Sequence, residues 1–549
     1  MKNLRNKIIA LLIAALAITG MSSTRSDFEI SKNLDIFASL YRELNQNYVD
    51  DIQPGELMKI AIDEMLASLD PYTVFIPESD IEDYRFMTTG QYGGIGALIQ
   101  KQGDYIVITE PYENFPAQKE GLIAGDMILK INGKSMEGKS TSEVSDLLKG
   151  QPGTEIKLEI QRGIDGEIMQ FTLTREEIKV DNIPYYTMVD PKVGYIKLNS
   201  FTMNAGNDVK QAFLSLKGDN PSMEGIILDL RGNGGGLLAE AVNIANIFVD
   251  KGQLIVSTKG KLNDSNHSYK TLNAVVDKNI RLAVMIDGYS ASASEIVAGA
   301  IQDLDRGVII GQKSFGKGLV QHIIPLPYNT RMKVTVAKYY IPSGRCIQAI
   351  DYSKRVDGKA THYSDSLKKT FYTKNGRMVY DQGGIVPDVK LIPDSMSDIA
   401  ISLFLNNHIF NFANLYASKH KDIGPAKDFM ITDEDYNDFL AYISDKDYDY
   451  TTNTERKLEE LEKAMKEDKY FETFKEEFES LQASVQHNKE EDLQNFKDEI
   501  KELISNEIIS RYYYQRGRII FNIERDPEIK EAINLLLNPD KYSKILSGK

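Results

Sequence analysis

The stretch Asp287 to Gln321, DGYSASASEIVAGAIQDLDRGVIIGQKSFGKGLVQ, constrains this chain more than any other. Leu282, Ala283, Val284, Met285 and Ile286 form an apolar run that leads into small residues. A helical pattern follows through Glu295, Ile296, Ala300, Ile301 and Leu304. The order predicts a strand, a tight corner and a helix. Such a corner exposes a serine at a helix start, where unpaired backbone donors and the positive dipole end favour an anion developing on an attacked carbonyl. From the residues alone, Ser290, Ser292 and Ser294 are all candidates.

A serine hydroxyl is a weak nucleophile at neutral pH and needs a base within hydrogen-bond reach. The nearby histidine, His322, sits in an apolar stretch, Gly318 to Ile324, that reads as a strand. Strand alternation puts Lys317, Leu319 and Gln321 on one face and His322 on the other. A lysine serves as base when burial leaves its amine neutral, and a neighbouring glutamine amide can hold it in place. The pattern therefore predicts a serine and lysine dyad.

These residues resemble the carboxy-terminal processing peptidases, or tail-specific proteases. Their signature is similar to Ser290-Ala291-Ser292-Ala293-Ser294-Glu295, followed by Ser314-Phe315-Gly316-Lys317-Gly318 and Gln321. The resemblance implies Ser292 as nucleophile, Lys317 as base and Gln321 as its orienting partner. Asp303 matches an acidic position that the family often carries. On a helix it lies ~16 Å along the axis from Ser292, so it reads as structural and not as a triad member.

At 549 residues the chain holds several domains, with the 42% hydrophobic and 26% charged content of a soluble globular protein. The net charge of -15 argues against nucleic acid and anionic membrane surfaces as partners. A single cysteine, Cys346, excludes an internal disulfide framework and reads as a buried small hydrophobe. Lys2, Arg5 and Lys7 precede an apolar run from Ile8 to about Ile18, the length of a secretory segment and short for a membrane span. Residues 1–23 are therefore expected to be a signal peptide or an N-terminal anchor, both readings standing open. The expected location is outside the cytoplasm, in a bacterial periplasm.

Residues 28–86 are predicted as a helical N-terminal region, closed by Ser68-Leu69-Asp70-Pro71-Tyr72. From 90 to 177 short strands and glycine punctuation take over. Gly93-Gly94-Ile95-Gly96-Ala97-Leu98-Ile99 reads as a glycine loop feeding a strand, Ser142 to Leu148 as a helix and Ile156 to Gln161 as a further strand. This region resembles a protease-associated PDZ domain. A glycine loop with exposed amides can capture a terminal carboxylate, and the strand after it can pair with an extended peptide. Gly93, Gly94, Ile95, Gly96, Ala97, Leu98 and Ile99 are thus the expected peptide-binding residues. Within Gly93 to Ile99 there is no Gly-Lys-Ser/Thr or GxGxxG pattern, so no nucleotide is expected on this loop, and the reading calls for no cofactor and no metal. Arg162 reads either as a solvated strand-end cation or as a link from this domain to the core.

Residues 186–391 read as an α/β protease core. Gly225 to Leu230 is a buried strand, followed by Arg231-Gly232-Asn233-Gly234-Gly235-Gly236 and a helix from Leu237 to Phe248. The stretch Asp229-Leu230-Arg231 with Asn233 and the glycines resembles the family's second signature, and the resemblance implies crotonase-like βαβ layers. Glycines at a strand end let backbone approach a substrate, so an amide at Gly235 or Gly236 is expected to join that of Ala293 in an oxyanion hole. Asp229 and Arg231 are expected to pair with each other or with loop backbone. Ser353 to Gly376 reads as a polar surface insertion.

Residues 395–549 are predicted as a helical C-terminal domain with apolar stripes at Leu458, Leu461 and Met465, at Phe471, Phe474, Phe478 and Leu481, and at Leu493, Phe496, Ile500 and Leu503. These stripes pack on the rest of the chain, form a homodimer interface or dock an adaptor protein. The leading expectation is an exported serine endopeptidase that recognises apolar C-terminal tails of protein substrates. A non-catalytic PDZ scaffold or chaperone, and an acyl-CoA-processing enzyme, are the competing classes.

Overall fold

The computed structural model describes residues 28–548 apart from 164–165, 357, 365, 367, 393–394 and 486–487. The basic residues Lys2, Arg5 and Lys7 and the apolar run Ile8 to Ile18 lie outside the described residues. The chain divides into two units, Met1–Phe75 and Ile76–Lys549.

In the first unit, residues 28–47 are helical and a second helix spans Pro54–Ala67, begun by a proline whose missing N–H costs nothing at that position. After it, Asp70 accepts the amides of Tyr72 and Thr73, each at 2.8 Å, which turns the chain. Phe28, Leu34 and Leu40 remain exposed.

The second unit opens with the helix Ile81–Thr89, which ends on Gly90 in the left-handed conformation that glycine tolerates. An antiparallel sheet follows in the order Ala97–Gln102, Tyr105–Pro111, Asp126–Ile131, Glu155–Arg162, Glu167–Thr174. Ile106, Ile108, Ile128, Leu158 and Ile160 fill its buried face, closed by Val144 and Leu148 of the helix Thr141–Leu148. A reciprocal Ser140 and Glu143 capping box starts that helix. Gly93 and Gly94 correct the expectation of a glycine loop. They belong to a strand, Gln91–Gly94, paired antiparallel with Glu176–Lys179, so the loop proper starts at Ile95.

The core is a six-stranded sheet in the order Tyr185–Asp190, Val193–Lys197, Gly225–Asp229, Arg281–Ile286, Val308–Gly311, Val389–Lys390, parallel after the first pair. The helices Ala205–Asp219, Leu238–Phe248 and Ala293–Asp303 cover one face. The other face is covered by the end of the chain: Ile529, Ala532, Leu535 and Leu536 of Pro527–Leu536 and Tyr542 of Pro539–Ser547 pack on Tyr195, Ile227, Ala283 and Met285. Parallel sheets need such cover on both sides. The Tyr542 hydroxyl both donates to the Leu282 carbonyl and accepts its amide, each at 3.0 Å.

The helices before that point build their own core from Leu403, Phe412, Phe439, Ile500 and Ile504. They also brace the sheet formed by residues 97–174. Glu110, buried on its sheet, pairs with Arg518 and accepts the Gln515 amide at 2.8 Å, and Phe410 packs against Val107 and Ala124. The polar insertion, Ser353 to Gly376, lies within two small hairpins that begin before it and end after it, Ile350–Val356 with Lys359–His362 and Thr370–Tyr372 with Met378–Tyr380.

Candidate active site

The strand Arg281–Ile286 ends at Asp287, whose Oδ1 accepts the amides of Tyr289 (3.0 Å) and Ser290 (2.9 Å) and folds the chain back. Five residues after Asp287, Ser292 caps the helix Ala293–Asp303 with φ 56° and ψ −110°, a conformation that costs an L-residue of order 1–3 kcal/mol. The corner separates the three serines. Ser290 donates its hydroxyl to the Leu230 carbonyl at 2.8 Å and Ser294 to that of Asn233 at 2.8 Å, both fully buried. Ser292 instead lines a cleft of about 470 Å³.

Lys317, Gln321, Gly235 and Gly236 line the same cleft. Gly235 lies against the corner so closely that a Cβ there would meet Ala293 N and Ser292 Cβ at 2.9 Å, and its φ of 102° also requires glycine. The Gly235 amide donates to Asn233 Oδ1 at 2.9 Å. This narrows the expectation that either glycine amide serves an oxyanion, because that of Gly235 is already engaged. Phe201 bonds the Gly235 carbonyl and the Leu237 amide, so the Gly236 amide between them faces away from Phe201. Ala293, at the first position of the helix, has no acceptor within its own helix.

Lys317 ends a loop, and the strand Leu319–Pro325 begins only after it. That corrects the reading of Lys317 by strand alternation. The loop itself is fixed: Ser314 N bonds Ile385 O at 3.0 Å, Phe315 N bonds Ser290 O at 3.1 Å and Gly318 N bonds Gln348 Oε1 at 2.7 Å. Gln321 donates to Thr335 Oγ1 at 3.2 Å, and His322 is exposed and outside the cleft lining.

Two residues that the sequence reading left without a role tie serine and lysine together. Glu295, fully buried, accepts the amides of Ser292 (2.8 Å), Gly316 (2.7 Å) and Lys317 (2.9 Å) and the hydroxyl of Ser314 (2.6 Å). Burial pushes its carboxyl up to about 7 against the pull of those four donors. The Tyr339 hydroxyl lies 2.6 Å from the Lys317 carbonyl and 3.1 Å from that of Ser292, and burial holds it well above the usual phenol range. The signal for Glu295 was present in the sequence: Ser292-x-x-Glu295 is a capping-box spacing.

The other charged candidates are engaged in packing. Asp303 bonds Arg345 at 2.8 Å, both buried, and accepts the Ser343 amide at 2.9 Å. Although burial pushes the Asp229 carboxyl up, Arg231 and Lys197 hold it well below the usual carboxylate range. Arg231 also pairs with Asp526 (2.8 Å) and Glu528 (2.7 Å), joining the glycine loop to the end of the chain. Arg162 neither is free in solvent nor reaches the core. It clamps buried Asp126 with two bonds of 2.8 Å and donates to the Gly121 carbonyl.

Ala97–Gln102 is the end strand of its sheet among the described residues, and Ala97 and Ile99 pack with Val144 and Leu148. An unpaired edge beside an apolar helix is a groove for an added peptide strand. Ile95 is buried, Leu98 is exposed, and Gly96 turns the chain at φ 73°. The Gly93 amide is taken by Glu82 Oε2 at 3.2 Å, which removes it from the set of expected carboxylate donors.

Residues 192–356 match peptidase family S41, residues 107–162 a PDZ domain and residues 399–536 a domain described as the C-terminal helical domain of a probable PDZ-protease. The chain is 38% identical over 345 residues to a carboxy-terminal-processing protease of Bartonella bacilliformis, covering 62% of this chain and 77% of that protein. It is 35% identical over 346 residues to a probable CtpA-like serine protease of Staphylococcus aureus, covering 62% of this chain and 66% of that protein. Similar solved structures include a photosystem II D1 C-terminal processing protease (28% identity, TM-score 0.37, 66% of this chain and 93% of that one). Another is the PDZ domain of a carboxy-terminal protease from Vibrio cholerae in complex with a peptide (29% identity, TM-score 0.16, 16% and 99%).

Proposed function

The chain belongs to peptidase family S41 as a serine protease of the carboxy-terminal-processing type, and from that premise we propose that it cleaves peptide bonds with a dyad of Ser292 and Lys317. One observation carries the assignment: of the three serines at the corner, only Ser292 lines the cleft that Lys317 and Gln321 also line. Lys317, as the neutral amine, takes the Ser292 proton during attack on the scissile carbonyl and returns it to the leaving amine. Gln321, held by Thr335, orients that amine. The Gly236 and Ala293 amides receive the oxyanion, each donor contributing about 2.7–4 kcal/mol to the transition state.

The groove between Ala97–Gln102 and Thr141–Leu148 takes the apolar tail of a protein substrate as an added strand, with the Ile95, Gly96 and Ala97 backbone facing its terminal carboxylate. The basic and apolar N-terminal residues support export to a bacterial periplasm, as a cleaved or anchored protein. Exposed Leu461, Phe474 and Leu481 support a docking face on the helical region for a second copy or an adaptor.

The test uses an unfolded model protein with an apolar carboxy terminus, offered to wild type, Ser292→Ala, Ser290→Ala and Lys317→Ala. Cleavage is expected to vanish with Ser292→Ala and Lys317→Ala and to persist in folded Ser290→Ala. Activity surviving in Ser292→Ala would refute the nucleophile. The same substrate ending in a carboxamide is expected to be cut more slowly, and equal rates would remove the tail-recognition part alone.

A further inference from the structure

The cleft holds a second lysine that the dyad does not use. Lys333 lies on the strand Arg331–Tyr340, opposite Ile323 in the antiparallel register with Leu319–Pro325. It lines the same cleft as Ser292 and Lys317, beside Gln321 and Ile323. Its side chain is partly buried, and among the described residues its ammonium has no hydrogen-bond or ion-pair partner. Burial alone pushes its pKa down, with no neighbouring carboxylate to restore it. Among the described residues the one carboxylate on the cleft wall is Asp181. At the same end Arg331 stacks over the Tyr84 ring at 4.8 Å, and Tyr84 is itself part of the lining. This end of the cleft is therefore cationic in a chain whose net charge is -15.

A half-buried ammonium without a partner is a cost that the fold does not recover internally. A carboxylate arriving with the substrate would recover it through a charge-assisted hydrogen bond. The position sets the spacing. Ile323 is six residues beyond Lys317, at most ~20 Å along an extended strand, and both lysines line the cleft. An extended substrate advances ~3.3 Å per residue over the same distance. We propose that Lys333 is a specificity-determining subsite that selects an aspartate or glutamate side chain about three to five residues from the bond Ser292 attacks. The proposal rests on the assignment of Ser292 and Lys317 as the reacting pair.

The experiment compares kcat/KM for paired peptides, carrying Asp or Asn at each position three to five residues on either side of one scissile bond. Wild type, Lys333→Met, Lys333→Arg and Lys333→Glu are compared as full chains. Wild type is expected to prefer Asp over Asn by about tenfold at one position, with the difference shrinking at high salt. The ratio is expected to collapse to unity in Lys333→Met, to survive in Lys333→Arg and to invert in Lys333→Glu. A wild type indifferent to Asp at every position, or a ratio that persists in Lys333→Met, overturns the subsite. Ser292→Ala is run on the same peptides: cleavage there would sink the nucleophile assignment, a result separate from any value of the Asp to Asn ratio.

Discussion

The carboxylate of Glu295 accepts the backbone amide of Lys317 at 2.9 Å through the same oxygen that accepts the amide of Ser292 at 2.8 Å. One buried side chain thus sets the distance between the loop that carries the lysine and the corner that carries the serine. Its second oxygen accepts Ser314 Oγ and Gly316 N. Glu295→Gln replaces one acceptor oxygen by an amide group that itself donates, so two donors lose their partner. Each such loss costs about 1–3 kcal/mol. We expect kcat to fall roughly 30- to 100-fold, equivalent to about 2–3 kcal/mol of lost alignment, with KM little changed. Steady-state kinetics on one peptide checks this, and an unchanged kcat would mean that the pair is aligned by other contacts.

The same residue gives a pH signature. Its carboxyl is raised from 4.5 to about 7 in the folded state by burial. Between those values the folded state holds a proton that the unfolded state has released. Stability from this group is therefore present below about pH 4.5 and lost as pH rises through about 7. Urea unfolding of wild type and Glu295→Gln at pH 5 and pH 8 isolates the effect. Wild type should lose stability relative to the variant across that interval, and parallel behaviour would show that Glu295 does not titrate there.

The strand, corner and helix around Ser292 were legible because an apolar run, small residues and a 3.6-residue pattern follow one another within the local sequence. The choice among the serines was not, since it depends on the carbonyls of Leu230 and Asn233, some sixty residues away. The Gly235 amide reads as available until Asn233 is seen to take it. Glu295 collects donors from residues 292, 314, 316 and 317, a convergence that only the tertiary fold produces. Nothing in the pattern of Ile227, Ala283 and Met285 pointed to Leu536 and Tyr542 as the cover for the second face of the core sheet.

Tyr339, on the strand Arg331–Tyr340, holds the backbone at both members of the proposed dyad. Its hydroxyl is within hydrogen-bond distance of the Lys317 and Ser292 carbonyls, and the side chain is buried. Tyr339→Phe keeps the ring and removes the donor, leaving a buried carbonyl unmet at a cost of about 1–3 kcal/mol. The denaturant midpoint should fall with the slope unchanged, and kcat should fall more than KM rises. A midpoint equal to wild type would mean that water replaces the hydroxyl without penalty.

Asp303 shares the helix of Ser292, and its acidic character invites a third catalytic role. Its surroundings argue otherwise: Arg345 and the Ser343 amide occupy its oxygens, and neither it nor Arg345 lines the cleft that holds Ser292. Asp303→Asn keeps the volume but removes the charge opposite a buried guanidinium, which costs about 3–5 kcal/mol when one partner of such a pair is lost. Arg345→Met removes the other partner and strands the carboxylate instead. Both variants should unfold at lower denaturant. The fraction that stays folded should cleave peptide within about threefold of wild type, because no step of the reaction passes through this pair. The measurement is specific activity normalised to folded protein, taken beside the unfolding midpoint. A hundredfold loss of activity in Asp303→Asn with the midpoint of wild type would place Asp303 in the catalytic machinery and refute the structural role.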